Sequence, residues 1–293
     1  MIECVPNFSE GRDPEVLKAI VEAIEARQVH LLDHGLDPDH NRAVVTFAGE
    51  SDEVLAAAFE AVRVASERID LTRHEGVHPR MGATDVCPFI PLAGSDMQQC
   101  VVLAHRLGTR VAEELSIPVY FYGEAALLPE RQALPNVRRG GFEGLRSAIA
   151  SERPPDRGPS RLHPTAGAVA VGARPFLVAF NVNLATSDLA VARAVARAVR
   201  ESNGGLPGIR ALGLAIEEGR TAQVSMNVCD YRRTSLSAVF DEVRRLARER
   251  GVEVRESELI GLAPSAALDS SIASHVRLPD FDPKRHVLEE RLP

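Results

Sequence analysis

Two histidines, a glutamate, an arginine and an aspartate fall within the twelve residues HEGVHPRMGATD, His74 to Asp85, with glycine and proline between them. An imidazole titrates near neutral pH and can both take and return a proton, which makes His78 the candidate for acid–base chemistry. Arg80 offers a forked donor suited to a carboxylate, and Asp85 has the chemistry either to orient a ring or to stabilise the loop. His74 to His78 also spells H-E-x-x-H, which on a helix would set two zinc ligands on one face with Glu75 as base. The local sequence argues against that helix, because Gly76 weakens it and Pro79 pushes the preceding residue out of the α region. No metal is therefore expected. The apolar run Val86 to Ile90 reads as a strand anchoring the segment.

Two further polar clusters carry ligand chemistry. Asp33, His34, Asp37, Asp39 and His40 could surround a metal, but DPDHNR between two apolar runs is also what a turn looks like, and the turn is the preferred reading. Asn41 and Arg42, entering the next strand, can reach a ligand. The stretch GPSRLHPTAG, Gly158 to Gly167, has glycines at both ends with Arg161 and His163 between them. It lacks the spacing of a nucleotide-binding loop, and reads either as a loop closing over a ligand or as a linker.

These clusters must be held by a globular scaffold. The chain has 293 residues, 45% of them hydrophobic and 26% charged, the range of an ordinary folded enzyme and long enough for two domains. No apolar run approaches the ~18 residues of a membrane span, and no basic-then-apolar leader opens the sequence, so a cytoplasmic location is expected. The net charge of −7, with basic residues spread among acids and only 4% aromatics, counts against nucleic acid as a partner. A small anionic metabolite held by a few arginines fits better. The four cysteines form no CxxC pair, so buried free thiols are expected in place of disulfides or zinc.

Periodicity supplies the elements. Ile2 to Pro6 reads as a strand, and Asp13-Pro14 opens a helix with the stripe Val16, Ile20, Val21 and Ile24. Val29 to Asp33 and Ala43 to Phe47 form a strand pair, a second helix runs from Ser51 toward Asp70, and Val86 to Ile90 is the next strand. A long helix over Ser95 to Leu115 and a short strand at Val119 to Tyr122 follow, and Arg138 to Gly141 reads as a basic turn. Ser151 to Pro164, polar with four prolines, reads as the domain boundary. Beyond it the order recurs: a strand at Phe176 to Asn183, a helix at Asp188 to Glu201, strands at Gly208 to Glu217 and Thr221 to Val228, a helix at Leu236 to Gly251, and a strand at Val252 to Ile260. Strand, helix, strand, strand, helix, strand is the ferredoxin-like pattern, present twice. The expected class is α+β, with two similar subdomains over residues 1–165 and 166–293.

In order along the chain, ECVPNFSEG (Glu3 to Gly11), DPDHNR (Asp37 to Arg42), HPRMGATDVCPFIP (His78 to Pro91), PVYFYGEAA (Pro118 to Ala126), GARPFLVAFNVNL (Gly172 to Leu184) and AQVSMNV (Ala222 to Val228) resemble the glutamate formimidoyltransferases, which in animals form the N-terminal half of formimidoyltransferase-cyclodeaminase. The resemblance runs to about Leu268. It implies two subdomains with mixed sheets facing one another, helices outside and folate between. It also implies transfer of a formimidoyl group between N-formimidoylglutamate and tetrahydrofolate, a co-substrate, in histidine degradation, by a homodimer without a metal. The family's catalytic histidine falls on His78. Its folate loop falls on Gly158, Pro159, Ser160, Arg161, Leu162, His163, Pro164, Thr165, Ala166 and Gly167. Ala166 stands where the animal enzyme has tryptophan, leaving this loop without that ring. Asn41, Arg42, Arg80 and Arg161 are candidate contacts to the anionic substrates. The chain stops where a cyclodeaminase half would begin, so that activity is expected to be absent. The alternatives are the same fold using 5-formyltetrahydrofolate or formimidoylglycine, or a folate-binding protein without turnover.

Overall fold

The computed structural model describes residues 1–76, 79–217 and 219–292. Contacts divide the chain into two compact units, Met1–Arg174 and Pro175–Pro293. In the first, β1 (Ile2–Cys4) and β2 (Asn7–Phe8) are followed by α1 (Pro14–Glu25), β3 (Val29–Asp37), β4 (Arg42–Gly49), α2 (Ser51–Arg68) and β5 (Thr84–Pro91). The proline-led start of α1 forms as the sequence requires: the Asp13 carboxylate accepts from the Glu15 amide at 2.9 Å, and Pro14 occupies a position whose N–H would have no helical partner. β1 and β2 lie in line between β4 and β5, antiparallel to both, and β3 flanks β4.

The first sheet then grows beyond that plan. α3 (Met97–Leu115), closed at its start by a reciprocal capping box between Asp96 and Gln99, returns the chain to β6 (Val119–Gly123). After α4 (Leu134–Val137) and α5 (Gly141–Ala148) comes β7 (Val169–Ala173), which pairs parallel to β5 on one side and β6 on the other. The first sheet is therefore mixed. The polar, proline-bearing Ser151 to Pro164 lies inside this unit and finishes its edge. The Asp156 carboxylate accepts the Phe121 amide at 2.8 Å, the Arg157 carbonyl accepts the Val119 amide at 3.0 Å, and the Arg153 carbonyl accepts the Tyr120 hydroxyl at 2.6 Å. A segment without periodicity thus does the work of a neighbouring strand at an edge that would otherwise be bare.

In the second unit β8 (Val178–Leu184), α6 (Leu189–Val199), β9 (Ile209–Ile216), β10 (Thr221–Val228), α7 (Leu236–Arg248) and β11 (Val254–Ile260) follow the expected order, and α8 (Ser270–His275) and α9 (Pro283–His286) close the chain. Its sheet, ordered β11-β8-β10-β9, is antiparallel throughout. The first strand of each unit sits centrally between the third and fourth of its pattern, so the two units share one ferredoxin-like arrangement, extended in the first by β7 and β6. Asp188 and Ser235 cap α6 and α7.

Each sheet has a greasy face packed against long helices. Ile2, Cys4, Val45, Phe47, Cys87 and Phe89 pack with α1, α2 and α3 in the first core, while Val178, Phe180, Val182 and Val224 pack with α6 and α7 in the second. The cysteines are free and three are buried; Cys4 and Cys87 lie with sulfurs 3.6 Å apart, and burial pushes the Cys4 thiol upward. The opposite face of the first sheet carries a smaller apolar cluster, in which Val86, Tyr120, Tyr122 and Ala170 pack with Val137, Leu145 and Ile149, and the opposite face of the second is polar. In the second unit the Gln223 amide donates to Asn183 at 3.0 Å and to Glu258 at 3.2 Å, and Asn181 donates to Glu258 at 3.1 Å. In the first, Glu3 alternates with Ile2 and Cys4 and so faces away from α1, α2 and α3, only 1% exposed, with its Oε2 lacking a hydrogen-bond partner among the described residues.

Burial pushes the Glu3 carboxyl up to about 7, against the pull of the Arg174 guanidinium. Its folded value lies above the unfolded one. Below both, the group costs nothing; as pH rises between them the unfolded chain sheds a proton that the folded chain keeps, so stability falls, and the full penalty of up to ~3 kcal/mol stands above pH 7. Glu3→Gln should therefore stabilise the protein at pH 8 and change little at pH 4. Urea denaturation across that range checks this, and equal gains at both ends would refute it.

Candidate functional site

The segment before β5 is pinned from both sides. His74 is extended (φ −79°, ψ 128°), which removes the first member of the helical zinc motif from a helix. Its Nε2 lies 2.9 Å from the Asn41 carbonyl, and its Nδ1 receives the Arg80 Nε at 3.0 Å. A guanidinium only donates, so Nδ1 is the bare nitrogen and Nε2 carries the proton given to Asn41. The rest of the Arg80 fork is spent on both Glu143 oxygens, at 3.0 and 2.8 Å, and on the His74 carbonyl at 3.1 Å. These bonds are the main reason the Glu143 carboxyl sits below its usual range.

Asn41 is the post to which this segment is tied. It adopts the left-handed conformation, φ +49°, which asparagine tolerates better than most residues. From there its Oδ1 accepts the Gly11 amide at 2.8 Å and its Nδ2 donates to the Glu75 carbonyl at 2.8 Å. Gly76 passes so close that a Cβ would stand 2.7 Å from the His40 carbonyl oxygen. Val77 and His78, the latter the expected acid–base group, lie outside the described residues.

The expected ligand loop arrives at the same place. The Leu71 amide bonds the Thr165 carbonyl at 2.9 Å, the Ala83 amide bonds Ala166 at 2.9 Å, and the Ala168 amide bonds Met81 at 3.0 Å. Gly82 and Gly167 form a bridge within this run, and a Cβ on Gly82 would meet the Ala168 oxygen at 1.8 Å. Within the loop, His163 and Gly167 exchange backbone bonds of 3.0 and 3.2 Å, and the His163 Nδ1 accepts the Ala166 amide at 3.0 Å. Burial lowers the His163 pKa. Ala166 is buried in the helix-side core, whereas Arg161 is exposed.

Asp85 takes its direction from a β-bulge: Asn7 pairs with Val86 and Phe8 with Thr84, so Asp85 between them has no cross-strand partner. One oxygen accepts the Met81 amide at 2.9 Å and the other an ion pair from Arg138, at the end of α4. Burial lowers the pKa of Arg42, which opens β4, and the charge of Arg138 adds to that while those of Asp37 and Asp85 oppose it. Asp37 closes the turn before it, accepting the His40 amide at 2.9 Å and pairing with the His40 ring; burial acts to raise its pKa, but the bonds from His40 prevail and lower it. DPDHNR is thus a turn. Among the described residues no three His, Cys, Asp or Glu side chains gather as metal ligands would.

The structure therefore assembles Asn41, Arg42, Arg80, Asp85 and the end of the 158–167 loop around the ends of the histidine segment. Glu143 and Arg138 join them although no motif marked either; the only hint was the basic character of Arg138 to Gly141.

This arrangement lies within a chain whose residues 1–174 match the N-terminal subdomain of the formiminotransferase domain and whose residues 179–286 match the formiminotransferase domain. The chain belongs to the formiminotransferase family. Glutamate formimidoyltransferase from Streptococcus pyogenes serotype M1 is 44% identical over all of this chain and 98% of that protein. The protein of the same name from Thermoplasma acidophilum is 43% identical over all of this chain and 97% of its own length. Mouse formimidoyltransferase-cyclodeaminase is 42% identical, with this chain spanning 60% of it. Of the motifs read from the sequence, DPDHNR and HPRMGATDVCPFIP lie in the part of the first unit where Asn41, His74, Arg80 and Glu75 are bonded to one another, and AQVSMNV lies in the second unit.

Asn41→Gly keeps the left-handed backbone accessible while deleting both side-chain bonds. It should cost ~1–3 kcal/mol of stability and lower turnover by loosening the histidine segment. Chemical denaturation and steady-state kinetics on one preparation check this; an unchanged rate would mean that Asn41 does not hold the segment in its working position.

Proposed function

We propose that this protein transfers a formimidoyl group between N-formimidoyl-L-glutamate and tetrahydrofolate, as a cytoplasmic enzyme of histidine degradation and one-carbon metabolism. The observation that carries this reading is the 44% identity to a glutamate formimidoyltransferase over 98% of its length. Tetrahydrofolate is a co-substrate in this scheme, and no resident metal has a part in it. No helix among the described residues is long and apolar enough to cross a membrane.

The chemistry asks little of the protein beyond position and proton traffic. An amine nitrogen of one substrate attacks the amidine carbon of the other, a tetrahedral centre forms, and the bond to the departing nitrogen breaks. One proton must leave the attacking nitrogen and one must reach the departing nitrogen. His78 is the group we assign to both transfers. Holding the two substrates side by side supplies much of the remaining acceleration. We assign residues 158–167 to folate, and the tethers from Asn41, His74 and Arg80 to the placement of the histidine segment. In solution we expect a homodimer.

The direct test is an assay of purified protein with tetrahydrofolate and N-formimidoyl-L-glutamate, run beside 5-formyltetrahydrofolate and formimidoylglycine. His78→Ala should lower the rate ~10²–10⁴-fold and leave folate affinity nearly intact. Full activity in that variant would overturn the mechanism. Stoichiometric zinc that activity requires would restore the metal reading instead.

A further inference from the structure

The blocks GARPFLVAFNVNL and AQVSMNV carry polar residues with no part in the scheme so far. In β8 the core takes Phe180, Val182 and Leu184, which turns Asn181 and Asn183 to the opposite face of the second sheet; in β10 Val224 and Met226 do the same for Gln223 and Ser225. Pairing sets these residues in rows across the four strands. One row runs Leu212, Ser225, Asn181, Glu258 and the next Leu214, Gln223, Asn183, Glu256.

The two carboxylates at one end of the rows fix the sense of the amides. A carboxylate only accepts, so the Asn183 Nδ2 at 3.4 Å from Glu256, and the Asn181 and Gln223 nitrogens at 3.1 and 3.2 Å from Glu258, are the donating ends. The Gln223 nitrogen also donates to the Asn183 Oδ1 at 3.0 Å. Its Oε1 is then left buried, in a residue only 1% exposed, with no hydrogen-bond partner among the described residues. Glu256 is paired with Arg255 at 3.2 Å, whereas among the described residues no lysine or arginine pairs with Glu258. Glu258 is exposed and takes both amide bonds on one oxygen, Oε2. The cluster therefore offers a ligand acceptors: an amide oxygen and a carboxylate, joined through the Gln223 side chain. A ligand that answers both must bring adjacent N–H groups, and the carboxylate favours one that is cationic or strongly polarised. Leu212, 49% exposed, and Leu214 add apolar surface at the other end of the rows.

We propose that Gln223 and Glu258 bind an N–C–N group that bears an N–H on each nitrogen, with Asn181 and Asn183 holding the two acceptors in place. For the identity of its ligand the proposal rests on the transferase reading. Both substrates of that reaction carry such a group, as the amidinium of N-formimidoyl-L-glutamate and as the aminopyrimidinone edge of the reduced pterin.

The test uses Glu258→Gln, at an exposed position, which removes the charge and leaves the amides an acceptor, and Gln223→Leu, which removes the buried oxygen; thermal melting confirms that each folds. Calorimetry with acetamidinium and with 6-methyltetrahydropterin reads the subsite without turnover. Wild type should bind one of the two, and Glu258→Gln should bind it ~10–100-fold more weakly. Kinetics then separate the sources. A similar rise in KM, larger than the change in kcat, should appear for N-formimidoyl-L-glutamate if the amidinium sits there and for tetrahydrofolate if the pterin does. If probe binding depends on Glu258 but no formimidoyl transfer is detected, the subsite stands and the transferase reading falls. Folded variants that bind both probes and both substrates as wild type does, or a wild type that binds neither probe, would overturn the proposal.

Discussion

The candidate site of the first unit depends on the close approach of two backbones at Gly82 and Gly167. A Cβ on either residue would fall inside a carbonyl of the facing chain, at 1.8 Å for Gly82 and 2.4 Å for Gly167. With no side chain at either position, the amides and carbonyls of 81–83 and 166–168 satisfy one another, and the last residues of the 158–167 loop come to rest beside the histidine segment. Gly167, at φ +68°, also supplies the turn that lets the loop double back on His163. A residue with a side chain at either position would force apart the two segments that the sequence marks for chemistry.

Around that contact the site is built by diverting local rules. The sheet would ordinarily turn Asp85 according to its alternation, and the bulge turns it toward Arg138 instead. The turn after β3 would ordinarily favour glycine at its left-handed position, and Asn41 takes it, gaining two side-chain bonds that fasten Gly11 and Glu75. Arg80 and His74 complete the ties, and the donor-only nature of the guanidinium leaves His74 a single tautomer. Each diversion lies in the segments that border the histidine stretch, where local rules and global fold part company.

Much of this architecture was legible because its signals are local. Asp13-Pro14, Asp188 and Ser235 announce helix starts, and the doubled strand-helix order gives the ferredoxin-like units. What stayed hidden lacks any short-range signature. β7 is buried on both faces, so AVAVGA shows no alternation to separate it from the preceding loop, and its pairing with β5 and β6 is a property of the fold. Asp156 serves an edge strand through its side chain, which makes the polar Ser151 to Pro164 look like a linker although it is part of the first unit. The same limit holds in the site. His78 and the 158–167 loop stand out by composition and by resemblance, whereas Glu143 and Arg138 gain meaning only from the groups they face.

The Gly82–Gly167 closure also sets an order of events in folding. The two strips it joins are separated by almost half of the first unit, with α3, β6, α4 and α5 between them, and contacts so remote in sequence carry a loop-closure cost that local helices and hairpins do not. The strand-helix pattern from β1 to β5 can collapse before the chain through β7 is in place. The pairing of 81–83 with 166–168 cannot, because its two sides come from opposite ends of that span. The union of the histidine segment with the end of the 158–167 loop is therefore a late acquisition of the nascent chain, gained in the step that seats β7 between its parallel neighbours.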